Sequence, residues 1–298
     1  MSKIHEEVTG KMIEMLEQGI VPWRKPWESD VGYQMPVNTT TGNQYHGINV
    51  ALLWMAAEEK GYKSDEWATL KQFNKVGKSV APHEKGTMIV KYDTFNKKRP
   101  DEDEFDVIPY LKSYYVFNVA QLKGYDPEKE QKIVKPLVER LHNVEDFIAN
   151  TGAEIHEDGG NKAFYNIHTD SIHLPARSAF TGSNTQTPQE AFYSTELHEL
   201  THWTGHETRC NRNFKERYDV GWYVREEIVA EMGSAFLCAE LNITDGPQPE
   251  NANYIGSWLE VFKEDSKTIL TVAGCASKAT EYLWSLQGNK NGHSTPVR

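Results

Sequence analysis

Five consecutive residues, His198-Glu199-Leu200-Thr201-His202, carry the sharpest chemical signal in the chain. On a helix, side chains four apart stand one above the other on one face. Both imidazoles can then reach a single tetrahedral metal ion at about 2 Å. Glu199 lies one step round the helix, placed to take a proton from a water at the metal without ligating it. The chemistry such a pattern serves is metal-assisted hydrolysis. Zn2+ suits these donors, with another divalent ion such as Mn2+ as the alternative.

A catalytic zinc takes three protein ligands and keeps a fourth position open. An HExxHxxGxxH extension fits Gly205 but ends on Thr208, a poor ligand, and His206 is two residues out of register. A later helix offers carboxylates instead. Trp222 to Leu241 reads as amphipathic, with Val224, Glu227, Ile228, Glu231, Ala235 and Cys238 on one stripe. Two carboxylates in an apolar stripe are costly to bury without a cation. Glu227 is assigned as the third ligand and Glu231, one turn on, as acceptor from a ligating imidazole; the reverse order stays open, as do salt bridges from the two carboxylates to Arg209, Arg212 or Arg225 in place of a metal. Glu226 points about 100° away and is expected in solvent. Tyr223, Tyr254 and His206 are the candidates for stabilising an oxyanion.

Local signals place the motif on a helix. Thr187-Pro188-Gln189-Glu190 reads as a capping box with proline at the first helical position. Gly205 suits a left-handed cap at the other end. A helix is expected over about 188–204, half buried through Leu197, Leu200 and Trp203.

The remaining composition describes a soluble, cytoplasmic protein. The chain has 298 residues and a net charge of −11. Its three cysteines, Cys210, Cys238 and Cys275, have no close pairing and suggest free thiols. No apolar run reaches membrane-span length, and the first ten residues do not read as a signal peptide. Residues 1–125 carry 16 Lys and Arg against 17 Asp and Glu, whereas 126–298 carry 16 against 26. Within the first part, residues 60–100 hold 10 basic and 4 acidic residues, followed by the acidic run Asp101-Glu102-Asp103-Glu104. Aromatic residues interleave with that basic stretch. Unpaired bases stack on exposed rings while Lys and Arg track phosphates, so single-stranded DNA with little sequence preference is the expected partner. Trp23, Arg24, Lys25 and Trp27, in the Pro-flanked segment Val21–Trp27, are the leading candidates, with Trp67, Lys71, Lys75 and Lys78. A core or latch role for the tryptophans is the competing reading.

The fold class expected is α+β in two domains. They span 1–125 and 134–298, joined by a Gly- and Pro-bearing polar linker at 126–133. Helices are expected at about 3–18, 48–60, 67–76, 134–150, 222–241, 254–270 and 272–286. Strands are expected at 88–95, 107–111 and 113–119, with a pair at 164–166 and 171–174 that suits an edge beside the metal helix.

These residues together resemble the ArdC family of plasmid antirestriction proteins. The resemblance rests on Pro22-Trp23-Arg24-Lys25-Pro26-Trp27, Tyr45-His46-Gly47-Ile48-Asn49, Trp67-Ala68-Thr69 with Gln72, and Val116-Phe117-Asn118-Val119 with Gln121. In the second half it rests on Asp170 with Ile172 and Pro175, on His198 through His206, and on Glu226-Glu227-Ile228-Val229-Ala230-Glu231. It implies an N-terminal domain that binds single-stranded DNA and a C-terminal zincin-like metallopeptidase domain. It further implies protection of incoming conjugative DNA from host restriction, with a host protein as the possible substrate. His198, His202 and a downstream glutamate would hold the metal, and Glu199 would act as base. The first domain also resembles one fused to plasmid primases. A DNA-masking protein with a structural or vestigial metal site is the rival reading. A secreted general protease is disfavoured.

Overall fold

The computed structural model describes residues 3–24, 34–98, 105–127, 136–212, 220–244 and 251–288. It divides into two compact units. The first comprises Met1–Met12 with Pro36–Glu130, the second Ile13–Met35 with Gln131–Arg298. Residues 13–35, expected in the first domain, thus group with the second. Their side chains give the reason: Leu16 and Trp23 are buried, and Trp23 packs on Trp258 with ring centroids 5.4 Å apart.

The chain opens with α1 (Lys3–Glu17), whose Val8, Met12 and Leu16 form a buried stripe at four-residue spacing. Strand β1 (Val37–Asn38), helix α2 (Ile48–Lys60), strand β2 (Glu66–Ala68) and helix α3 (Leu70–Lys75) follow. Two long strands, β3 (Thr87–Lys98) and β4 (Phe105–Asn118), complete a sheet of order β1-β2-β4-β3. Only the β1–β2 pair is parallel. The continuous helix expected over 67–76 is instead β2 followed by α3. Trp67 is a β-former paired with Asn118, and the helix starts after Thr69, which forms a reciprocal capping box with Gln72. Asn118 and Gln121 repeat that device after β4. Asn49 of α2 joins the Val90 backbone of edge strand β3 through two bonds of 2.8 Å. A side chain that satisfies edge backbone groups blunts the edge against foreign strands. Leu53, Ala56, Trp67 and Val116 form one core cluster of this unit, and Ala68, Phe73 and Val119 another.

The second unit is mainly helical. Helix α4 (Leu137–Ala149) leads into a three-stranded sheet of order β5-β7-β6. Its strands are β5 (Glu154–His156), β6 (Phe164–Asn166) and β7 (Ser171–His173). Four helices follow: α5 (Pro188–Trp203), α6 (Val220–Leu241), α7 (Asn251–Glu264) and α8 (Thr268–Ser285). The break between α7 and α8 falls at Asp265–Lys267, a few residues before the position expected. The core joins Val144 and Phe147 of α4, Tyr165 and Ile172 of the sheet, and Leu197, Leu200 and Trp203 of α5. Leu237, Cys238 and Leu241 of α6 and Leu283 of α8 close it. Each such side chain contributes about 1.5–3 kcal/mol by leaving water. Helix α6 is buried over most of its circumference from Ile228 to Ala239, so it is a central helix rather than an amphipathic surface one.

Two details fix α6 against the motif helix. Gly233 of α6 faces Thr201 of α5 so closely that a Cβ there would lie 2.5 Å from Thr201 Cγ2. Ser234 Oγ donates to the Ser194 carbonyl at 2.9 Å. Among the described residues no helix is long and apolar enough to cross a membrane. The three cysteines are free.

Candidate metal centre

Helix α5 begins as its sequence signals require. Thr187 caps it by accepting from the Glu190 N–H, and the Glu190 side chain accepts in return from Thr187 N–H. The C-terminal end differs from expectation. Gly205 is not left-handed; Thr204 ends the helix in right-handed conformation, and the positive φ falls on Asn211 (48°). The intervening residues fold back through Gly205 N–H to His202 O, Cys210 N–H to Thr204 O and Arg212 N–H to Gly205 O. That fold-back returns Arg212 to the end of α5.

One donor atom each from His198, His202 and Glu227 lies within 4.8 Å of the other two. The imidazole Nε2 atoms of His198 and His202 lie 3.7 and 3.6 Å from the two Glu227 carboxylate oxygens. Each ring turns its other nitrogen to a second carboxylate on α6. His202 Nδ1 donates to Glu226 Oε1 at 3.2 Å, and His198 Nδ1 lies 3.8 Å from Glu231 Oε1. Each of those carboxylates meets an arginine. Arg212 grips Glu226 through Nε (2.9 Å) and a terminal nitrogen (2.7 Å), and also donates to Thr201 O and Thr204 Oγ1. Arg24 donates to Glu231, with both side chains almost wholly buried. Two imidazole–carboxylate–guanidinium relays therefore converge on Glu227, hydrogen-bonded through His202 and in close contact at 3.8 Å through His198.

The charges balance for a dication. Arg212 neutralises Glu226 and Arg24 neutralises Glu231, which leaves Glu199 and Glu227 facing the two imidazoles. Burial opposes ionisation of Glu227. The His198 hydrogen bond, both imidazole charges and the Tyr223 hydroxyl outweigh it and hold the carboxyl near about 2. Burial likewise opposes protonation of His198, but Glu227, Glu199 and Glu231 pull its pKa up to about 9. The pocket thus draws positive charge to the spot between the imidazoles and Glu227. Two imidazoles and a carboxylate converging in this way form a donor set that fits a divalent metal ion.

Glu199 is buried and stands apart from both relays. Burial pushes its carboxyl up against the pull of the two imidazoles, and the Tyr165 backbone N–H of β6 donates to it. Strand β6 is held in turn by a network around Asp170, which sits at φ 52° in the β6–β7 turn. Asp170 accepts from Tyr165 Oη at 2.7 Å and from Arg209 at 2.9 Å, while Arg209 covers the Trp203 ring at 3.9 Å. Tyr223 is hydrogen-bonded to Glu227 and Tyr254, and burial foremost raises its pKa. Of the three oxyanion candidates, only Tyr223 contacts a donor of the centre. His206 bonds Thr208 instead, at 2.9 Å.

Residues 2–117 match the family described as the N-terminal domain of anti-restriction factor ArdC. Residues 142–275 match the zincin-like metallopeptidase family. Two crystal structures of the antirestriction ArdC protein from the R388 plasmid are similar over 97% of this chain. The metal-free one has a TM-score of 0.80 at 35% identity over 99% of its chain. The Mn(II)-bound one has 0.76 at 34% over 100%. The chain belongs to the ArdC family of antirestriction proteins. An uncharacterized protein of Sinorhizobium fredii, y4eC, is 32% identical over 96% of this chain and 93% of its own length. The Escherichia coli DNA primase TraC is 34% identical over 95% of this chain but only 27% of its own length.

Several site residues read from the sequence lie elsewhere than expected. Glu226 is not in solvent; Arg212, brought back by the fold-back after α5, compensates its charge inside the protein. Trp23 is fully buried and cannot stack on a base, and Arg24 serves Glu231 rather than a phosphate. Trp67 is buried in β2. The two tryptophans are inside because a large ring gains by leaving water, and Arg24 is beside Glu231 because a buried carboxylate needs a cation. Lys71, Lys75 and Lys78 are exposed on and just after α3. Lys25 and Trp27 lie outside the described residues. The Glu226–Arg212 relay has no sequence signal, because its two halves are joined only by the turn that follows the motif.

Proposed function

We propose that this chain is a cytoplasmic antirestriction protein that binds single-stranded DNA and acts on a host protein through a divalent-metal, peptidase-type centre. His198, His202 and Glu227 would hold zinc or manganese, and Glu199 would serve as general base. The observation that carries this reading is the pair of relays. They bring two imidazoles and a carboxylate to one point and leave Glu199, which accepts from the Tyr165 N–H, outside both. A purely structural zinc takes four protein ligands and has no use for Glu199.

When bound, the ion supplies Lewis-acid polarisation of a peptide carbonyl and of the attacking water. The rest of the work falls to side chains. Glu226 and Glu231 fix the Nδ1 sides of the two rings, so both Nε2 lone pairs face inward. Glu199 takes the proton of the attacking water on a carboxylate oxygen and passes it to the leaving amine. Tyr223, beside Glu227, is the hydroxyl best positioned to donate to the developing oxyanion. Strand β6, tied to Glu199 through Tyr165, is the edge along which a substrate strand would pair.

A second reading keeps the DNA binding and drops proteolysis, so that the protein masks the entering strand. Glu199→Gln separates the two. The assay is restriction protection during conjugation, after metal content and single-strand affinity are matched to wild type. Proteolytic action requires that the variant bind DNA and fail to protect. Full protection by the variant refutes it and leaves masking.

A further inference from the structure

Trp23 and Trp67 are buried and cannot meet a base, but the described residues of the first unit include exposed rings. The β3–β4 hairpin carries them. Its register sets Ile89 opposite Tyr114, Lys91 opposite Lys112, Asp93 opposite Tyr110 and Phe95 opposite Ile108. Directly opposed residues share a face, and so do residues two apart, so all eight belong to one face. Near the α2 end that face is covered, with Ile89 packed against the Leu53–Trp67–Val116 cluster. Beyond it the face is open: Phe95 is 47% exposed and Tyr110 38% exposed, and Lys91 and Lys112 are exposed too. Phe95 and Tyr110 form an edge-to-face pair at 5.8 Å, and Tyr110 Oη donates to Asp93 at 3.3 Å. Lys112 Nζ lies 5.3 Å from the Tyr114 ring centroid.

The opposed lysines are the telling feature. Like charges directly across a strand pair destabilise it. Neither lysine has an ion-pair partner among the described residues. An anion between them would remove that cost. Rings stand on both sides of the pair: the half-buried Tyr114, opposite Ile89, on one, and the exposed Tyr110 with Phe95 beyond it on the other. Tyr114 and Tyr110 are each about 7 Å from Lys112 along the strand, two residues away, and Phe95 is about 13 Å from Lys91, four residues away. Ring, double cation, ring is the order in which a single strand presents base, phosphate and base.

We propose that this face of the β3–β4 hairpin seats single-stranded DNA, with a phosphate between Lys91 and Lys112 and bases on Tyr114 and on the Phe95–Tyr110 pair. The assignment rests on the single-strand reading above and gives it a location. A duplex offers no free base face and does not satisfy the rings, and an acidic peptide does not use them.

The test is fluorescence anisotropy of a labelled oligothymidylate on the full chain across a salt series, with thermal melts alongside. Three variants are compared: Lys91→Gln with Lys112→Gln, Phe95→Ala with Tyr110→Ala, and, as control, the exposed Lys162→Gln with Lys278→Gln of the second unit. The hairpin lysine variant is expected to flatten the slope of log affinity against log salt by about 0.7, the contribution of the one phosphate seated between the two lysines on a single strand. Its melting temperature should not fall, because it relieves a repulsion. The ring variant is expected to lose about 5- to 150-fold per stacked ring with the salt slope unchanged. The second-unit lysine control should match wild type. If the hairpin variants bind as wild type does, the location is overturned while the single-strand reading stands. If wild type itself binds no oligothymidylate, that reading falls and the location with it.

Discussion

Arg24 is the residue whose removal best tests the architecture of the metal centre. The substitution Arg24→Met keeps most of the stem and deletes the guanidinium that neutralises Glu231. The two side chains are 8% and 6% exposed, so the pair is a buried one. Removing one partner of such a pair costs about 3–5 kcal/mol. Part of that cost is relieved if Glu231 takes up a proton, but a neutral Glu231 no longer fixes His198 Nδ1, 3.8 Å away. Loss of the group that orients a ligating imidazole weakens metal affinity about 10- to 100-fold. Both effects are measurable on the full chain. Competition for Zn2+ against a chromophoric chelator reads the affinity. Melts with and without excess metal read stability, and the gap between them should shrink by about 1.4–2.7 kcal/mol. Adding Glu231→Met to Arg24→Met should recover stability, since an apolar pair replaces the ionic one. It should not recover affinity. If Arg24→Met lowers stability and leaves metal affinity within twofold of wild type, Arg24 is a packing residue and the relay through Glu231 is refuted.

Two further outcomes follow from the helices around the centre. Gly233→Ala places a Cβ 2.5 Å from Thr201, inside the motif, and should destabilise the protein by about 1–3 kcal/mol; a melt at wild-type temperature would mean the helices slide apart freely. Burial foremost raises the Glu240 carboxyl of α6 to about 7, with the Trp284 N–H opposing. A carboxyl raised on folding favours the folded state while protonated. Its contribution is present below the unfolded value of about 4.5 and is lost as pH rises toward 7. Glu240→Gln should therefore flatten the fall in stability between those values, a term of at most about 3 kcal/mol. An unchanged pH profile would rule Glu240 out as its source.

The motifs shared with the family divide into two physical kinds. Those of the second unit converge on the centre: HExxH places its histidines by helical periodicity alone, and Glu227 follows from the cost of a carboxylate in an apolar stripe. Those of the first unit turn out to serve construction. Thr69 with Gln72 and Asn118 with Gln121 are caps, Asn49 seals an edge strand, and Trp67 fills a core. Single-stranded DNA was inferred from rings and cations near one another in sequence. Sequence proximity does not say which rings are inside.

The sequence by itself determined the local features, because local rules suffice for them. These are the capped motif helix, the spacing of His198, Glu199 and His202, and the alternation of helices and strands. Tertiary structure decided whatever depends on distant segments meeting. Glu226 became a partner of His202 because a turn returns Arg212 to the helix end. Arg24 joined the metal unit across 207 residues of chain because Trp23 has a pocket beside Trp258. Lys91 and Lys112 became a pair through strand register. In each case a charge or a ring found its role from the partner that the fold delivers, and no window along the chain contains that partner.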